Sequence, residues 1–174
     1  MKTIYLLRHA KSSWDDPALP DYHRPLAPRG RKAAPRMGRF MKKEGLLPHR
    51  VLCSGALRAT QTWELVAPIL DQQVPTEIHE EIYHGAPGNL LRMIRALPGE
   101  EASALLVGHN PTMEDLALLL AGSGEEAALQ EMRRKFPTAA LAVLDFHGAG
   151  WPEVLPGSCH LRAFVRPKAL KGGG

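Results

Sequence analysis

The chain has 174 residues, 44% hydrophobic and 23% charged, a balance that suits one globular domain with a sizeable core and excludes a disordered or fibrous polymer. Lysine plus arginine (22) exceeds aspartate plus glutamate (18), for a formal +4; this mild excess fits an anionic substrate, and no basic run interleaved with aromatics argues for nucleic acid. No apolar run approaches membrane-spanning length, and Arg8 ends the first apolar stretch too early for a signal-peptide core, so a cytoplasmic protein is expected.

Thr3-Ile4-Tyr5-Leu6-Leu7 is a short β-branched and aliphatic run bounded by polar residues, which predicts a buried strand over 4–7. Arg8-His9-Ala10 then emerges at its carboxyl end. Residues 12–26, rich in proline and aspartate, predict a loop. Residues 28–44 carry good helix formers, with Gly45 as a stop. Val51-Leu52-Cys53 predicts a second short strand. Residues 57–70 predict a helix, with Ser54 as its N-cap. Residues 76–79 predict a short edge strand. Residues 87–97 predict a helix with Leu90, Leu91, Ile94 and Leu97 on one face.

Residues 104–107 predict a third buried strand, followed by a helix over 113–120 that stops at Gly122 and a polar helix over 125–133. Residues 140–146 and 160–165 predict antiparallel neighbours joined through a turn at Gly148 and Gly150. Gly172–Gly174 have nothing to pack against and are expected to fray. This alternation predicts a three-layer α/β/α sandwich with a mostly parallel central sheet, as a single domain over 1–174 with its core at about 3–165. Cys53 and Cys159 read as unpaired buried thiols in a reducing compartment, and no cysteine pair has zinc-site spacing.

Three strand ends carry phosphate-competent residues: Arg8-His9, then Ser54-Gly55-Ala56-Leu57-Arg58, then Gly108-His109-Asn110-Pro111. In open α/β sheets, ligands bind in the crevice beyond the carboxyl ends of the strands. A guanidinium can grip a phosphate at two points, a histidine can be a nucleophile, and helix N-termini favour anions. Ser54 is a further candidate donor to phosphate, and Asn110 a candidate for orienting the His109 loop within the substrate-binding set. Lys11, Ser12, Trp14 and Arg24 lie on an entrance loop, where structural or solvated roles are favoured.

The pattern Leu7-Arg8-His9-Ala10, Ser54-x-x-x-Arg58-Ala59-x-Gln61-Thr62 and Val107-Gly108-His109-Asn110 resembles the histidine phosphatase superfamily, with its phosphoglycerate mutase-like fold. Lys11-Ser12-Ser13-Trp14 after Arg8-His9-Ala10, Arg24-Pro25-Leu26 with Gly30, and Phe136-Pro137-Thr138-Ala139 resemble its short SixA-like phosphohistidine phosphatases. The likeness covers about residues 3–165.

The resemblance implies that His9 attacks phosphorus and carries the phosphoryl group covalently. Arg8 and Arg58 would hold its equatorial oxygens, and His109 would be a second donor that stabilises the transition state. Phosphoryl transfer is mostly positioning and electrostatics, so a ring of fixed donors suits it. The superfamily's phosphatases place an acid before the third strand; here Glu81, in Glu80-Glu81-Ile82-Tyr83, is the candidate general acid. A phosphohistidine substrate would need it least, because imidazole leaves more readily than an alkoxide.

The resemblance implies no metal or other cofactor. It implies as partner a phosphorylated protein of the histidine phosphotransfer type, or a small phosphorylated molecule, met by a monomer or weak dimer. A mutase is disfavoured because no long insertion is present to enclose the substrate. A metallohydrolase with His9, His109 and Glu81 as ligands is disfavoured because Arg8 and Arg58 would repel the cation. A catalytically dead phosphate reader is disfavoured because all four core residues are present.

Overall fold

The computed structural model describes residues 1–170, so the glycine tail expected to fray lies outside the described residues. Seven strands form one sheet: β1 (Lys2–Arg8), β2 (Arg50–Cys53), β3 (Thr76–Ile78), β4 (Ser103–Gly108), β5 (Ala121–Gly124), β6 (Leu141–Phe146) and β7 (Cys159–Val165). Their order across the sheet is β3-β2-β4-β1-β6-β7-β5. The pairs β1/β4, β2/β4, β2/β3 and β5/β7 are parallel, while β6 runs antiparallel to both β1 and β7.

Strand alternation divides the core in two. Ile4 and Leu6 of β1, with Ala104 and Leu106 of β4, point to one face, and Tyr5, Leu7, Leu105 and Val107 point to the other. Helices α1 (Pro28–Lys43) and α2 (Leu57–Val66) cover the second face with Met37, Met41, Trp63 and Val66. Helices α3 (Glu80–His84), α4 (Pro87–Arg95), α5 (Thr112–Leu120) and α6 (Glu126–Arg134) cover the first with Ile82, Leu90, Ile94, Leu116 and Met132. The three-layer sandwich is therefore as expected. Residues buried on both sheet faces explain why β4 reads as an uninterrupted apolar run.

Three expectations change. The helix expected over 57–70 ends at Val66 and tightens into a 3-10 turn over Ala67–Leu70, where Pro68 cannot donate a helical hydrogen bond. Its N-cap is Ala56 rather than Ser54, and no side chain caps it. Ala-Gly-Ser-Gly, β5, was expected to end a helix; it is a strand because β7 offers an edge to pair with, and its residue types carry no strand preference of their own. Gly45 ends α1 at φ 68°, a left-handed conformation that glycine adopts without strain.

Among the described residues, no helix is long and apolar enough to cross a membrane.

Candidate active site

The sheet order makes β1, β4 and β2 neighbours, so their carboxyl ends open together. Register sets Arg8 opposite Gly108 and Cys53 opposite Val107. Past the strands the ladder continues: the His9 amide donates to the Gly108 carbonyl (2.9 Å) and the Ser54 amide to the Val107 carbonyl (3.0 Å). His9, Ser54 and His109 therefore sit side by side at the point where the chain connections diverge, the usual ligand crevice of such sheets.

His9 is 7% exposed and His109 is 8% exposed, and their ring centroids lie 5.1 Å apart. His9 Nδ1 is 2.7 Å from the Ala10 carbonyl oxygen. A carbonyl only accepts, so Nδ1 carries the hydrogen and Nε2 presents a lone pair. Burial pushes the His9 pKa down to about 3, against the raising effect of that carbonyl; the charges of Arg58 and Arg8 push the same way as burial. His9 is thus a neutral imidazole with a fixed tautomer, the state a nucleophile requires.

His109 Nε2 lies 2.7 Å from Ser54 Oγ, which also accepts the Ala56 amide at 3.2 Å. The Ser54 hydroxyl can donate its hydrogen to Nε2, and in that tautomer the hydrogen of His109 sits on Nδ1. That Nδ1 is buried without a partner, as is Arg8 Nε. Burial, then Arg58, pushes the His109 pKa down to about 4, while Asp21 opposes. Ser54 is therefore a partner of His109 as well as a donor candidate.

Arg58 sits in the first turn of α2, where a helix N-terminus disfavours a cation, so the fold itself does not call for it there. Its Nη1 donates to the Asp21 carbonyl (2.7 Å) and its Nη2 to the Asp21 carboxylate (2.9 Å). One turn on, Thr62 Oγ1 donates to the Arg58 carbonyl and accepts the Ala10 amide at 3.0 Å, fastening the His9 loop to α2. Gln61 Oε1 accepts the Leu26 amide. The Arg58, Gln61 and Thr62 spacing thus serves one guanidinium and two loop fastenings.

The segment after α6 clamps Arg8 and His9 from behind. The Ala139 amide donates to the Arg8 and His9 carbonyls, both at 3.0 Å, with Ala139 itself at φ 61°. A non-glycine residue held there costs on the order of 1 kcal/mol, and such strain gathers at functional sites. The Phe136 carbonyl accepts from Arg8 Nη1 (3.0 Å) and from Asn110 Nδ2 (2.9 Å). Asn110 Oδ1 takes the Glu114 amide, so both polar ends of Asn110 are engaged within the protein. Asn110 orients the His109 loop; these bonds do not point it at a ligand.

Glu81 is not brought into this cluster. It is exposed, and its carboxylate faces Arg92 on α4 at 3.9 Å. The neighbouring Glu80 accepts a 2.6 Å hydrogen bond from Tyr22, and that pair lies over Gly55, where a Cβ would collide with both side chains. A metal set of His9, His109 and Glu81 is therefore not assembled, and the described residues contain no group of three His, Cys, Asp or Glu side chains placed to hold a metal.

Asp21 and Tyr83 were not singled out in the sequence. Tyr83 Oη donates to Asp21 at 2.7 Å, and its ring stands edge-on to His109 at 5.4 Å. That hydrogen bond, then those from Arg58 and Arg24, hold the Asp21 carboxyl well below its usual range. Arg24 is buried; it binds Asp21 at 2.9 Å, the Ser13 carbonyl and Ser12 Oγ, and lies 3.3 Å from the exposed Trp14 ring. Its role is to hold the entrance loop, as its structural reading expects.

The model of the histidine phosphatase superfamily (branch 1) matches residues 4–90. An uncharacterised protein of Mycobacterium tuberculosis H37Rv is 39% identical over 164 residues, covering 93% of this chain and all of that protein. The phosphohistidine phosphatase SixA of Escherichia coli K12 is 30% identical over 163 residues, covering 91% of this chain and 96% of that protein. A solved structure from Agrobacterium tumefaciens, whose proposed identity is phosphohistidine phosphatase SixA, superposes with a TM-score of 0.81 at 30% identity, covering 95% of this chain and 98% of that one.

Proposed function

Because the chain belongs to the histidine phosphatase superfamily, in its SixA-like branch, we propose that it hydrolyses protein-borne phosphohistidine through a covalent intermediate on His9. The observation that carries this reading is the 2.7 Å contact of His9 Nδ1 with the Ala10 carbonyl, which leaves Nε2 as a neutral lone pair among cationic and N–H donors.

In the first step, His9 Nε2 forms a bond to phosphorus as the bond from phosphorus to the substrate nitrogen breaks. The departing imidazole keeps the electron pair and takes a proton from water. Arg8 donates through its unpartnered Nε, and Arg58 through the N–H groups that Asp21 leaves free. His109 Nδ1–H supplies a neutral donor beside the nucleophile. In the second step, water attacks phosphorus and gives up a proton that neutralises the hydroxide left by the first step, the bond to Nε2 breaks with its electron pair returning to the His9 imidazole, and orthophosphate leaves. The donors are fixed before substrate arrives, so little reorganisation accompanies the reaction.

No carboxylic acid is required on the leaving-group side. Asp21 is held ionised, and Glu81 pairs with Arg92 in solvent. That arrangement suits an imidazole leaving group and disfavours an alkoxide. The names of the E. coli relative and of a protein histidine phosphatase SixA structure at 26% identity point to the same substrate class. Free, buried Cys53 and Cys159 support a reducing, cytoplasmic setting. One sheet spanning 2–165 and relatives matching over 93% of the chain support a single histidine phosphatase domain.

The test is phosphate release by wild type and His9→Ala from a phosphohistidine-bearing phosphotransfer domain and, separately, from an aryl phosphate. Release from the domain that is lost in the variant is expected. Release from the aryl phosphate alone would move the substrate to small phosphoesters. Release from neither would return the protein to phosphate binding.

A further inference from the structure

A second feature lies beside the reaction centre and is not explained by it. A cleft of about 600 Å³ opens between the loop after β1, α1, the end of α6 and the segment after β7. Eight lysine and arginine side chains line it against a single carboxylate, Glu131. Arg8, His9, Arg58 and His109 are not among its walls. Its floor is Pro137–Thr138, in the segment that clamps His9, and Lys11 enters it two residues beyond His9.

The charge on the α1 wall is uncompensated. On α1, Arg29, Lys32 and Arg36 recur at spacings of three and four, so they form one like-charged stripe facing the cleft. Like charges at those spacings destabilise a helix. The first turn of α1 holds no acidic residue, so Arg29 also opposes the helix dipole. Arg36 Nε is shut off from solvent without a hydrogen-bond partner. Glu131 is engaged by Arg166 at 3.2 Å. Among the described residues, Arg166 alone of the lining cations has a carboxylate partner, in Glu131; the α1 stripe has none, and a bound anion would supply one.

The shape selects the ligand. A volume of about 600 Å³ falls in the range of roughly 300–1,000 Å³ typical of small-molecule sites, and the cations converge on it from four chain segments. We propose that this cleft binds a compact small molecule carrying a run of phosphate groups, such as a short inorganic polyphosphate or a nucleoside polyphosphate. This goes beyond the phosphatase reading and does not depend on it.

The test is calorimetric titration of the wild-type protein, at roughly physiological ionic strength without divalent cations, with tripolyphosphate, ATP and orthophosphate. One site is expected for tripolyphosphate, ATP or both, each bound at least about tenfold tighter than orthophosphate. The better of the two identifies the source as chain or nucleotide. Lys32→Glu/Lys168→Glu, both exposed positions, is expected to weaken binding at least about tenfold with a melting temperature no lower than wild type, whereas Arg58→Ala binds as wild type. Wild-type affinity in the double variant, loss of binding in Arg58→Ala, or no binding at all would overturn the proposal. Tighter binding of polyglutamate or duplex DNA through the same lysines would overturn it in favour of a macromolecule.

Discussion

Arg58 and Asp21 are joined twice, through the backbone carbonyl at 2.7 Å and through the carboxylate at 2.9 Å. Asp21 therefore aims the guanidinium while sharing its charge with Tyr83 and Arg24. Asp21→Ala removes one of the two fastenings. Charge-assisted hydrogen bonds contribute about 1.5–3 kcal/mol when buried, and less here because Asp21 is half exposed. A loss of about tenfold in kcat/KM is expected. Steady-state kinetics check this; a rise in rate would mean that the carboxylate competes with the phosphoryl group for Arg58.

Removing Arg58 itself costs more. Deleting one preorganised donor at a reacting oxyanion lowers turnover by about 100- to 1,000-fold in comparable sites, and Arg58→Ala is expected to do the same. Arg58→Lys is expected to recover little, because an ammonium cannot reproduce a planar fork held at two points by Asp21. Single-turnover rates for the three proteins decide it. Full activity in Arg58→Lys would show that only charge matters at this position.

Glu81 gives the opposite prediction. Its carboxylate is in solvent, facing Arg92, so Glu81→Gln is expected to keep phosphohistidine hydrolysis within about twofold of wild type, the scale of surface substitutions. A chelator is likewise expected to leave the rate unchanged. A large loss in Glu81→Gln would restore this residue as a proton donor that reaches the site once substrate is bound.

The two buried histidines set an acid limit on stability. His9 is pushed down to about 3 and His109 to about 4, both by burial, whereas in the unfolded chain each titrates near about 6.5. Between those values the unfolded state binds protons that the folded state refuses. The stability these groups confer at pH 7 is therefore lost as pH falls, by up to about 1.4 kcal/mol per pH unit for each. Thermal melts between about pH 7.5 and 4.5 are expected to show a falling midpoint, with a shallower fall in His109→Gln. An unchanged midpoint across that range would contradict buried neutral imidazoles.

The three strand ends were legible because each couples a short apolar run to polar residues of unusual type, and parallel pairing of β1, β4 and β2 brings such ends together. Arg8, His9, Arg58 and His109 could be read from those junctions. Asp21 and Tyr83 could not, since their meeting depends on how a proline-rich loop folds over α3, which no local periodicity encodes. Glu81 matched a pattern of adjacent residues, but the short helix α3 turns it toward Arg92 and leaves Glu80 over Gly55. The strand β5 was hidden for a similar reason: Ala121–Gly124 acquires its structure from β7 and not from its own residues.

The most direct measurement is a rapid alkaline quench of the wild-type protein during turnover of a phosphohistidine domain, followed by peptide mass spectrometry. A phosphoryl group on His9, formed early and absent from His9→Ala, is the predicted result. Turnover at the full rate with no label on His9, or with the label on His109, would contradict the account.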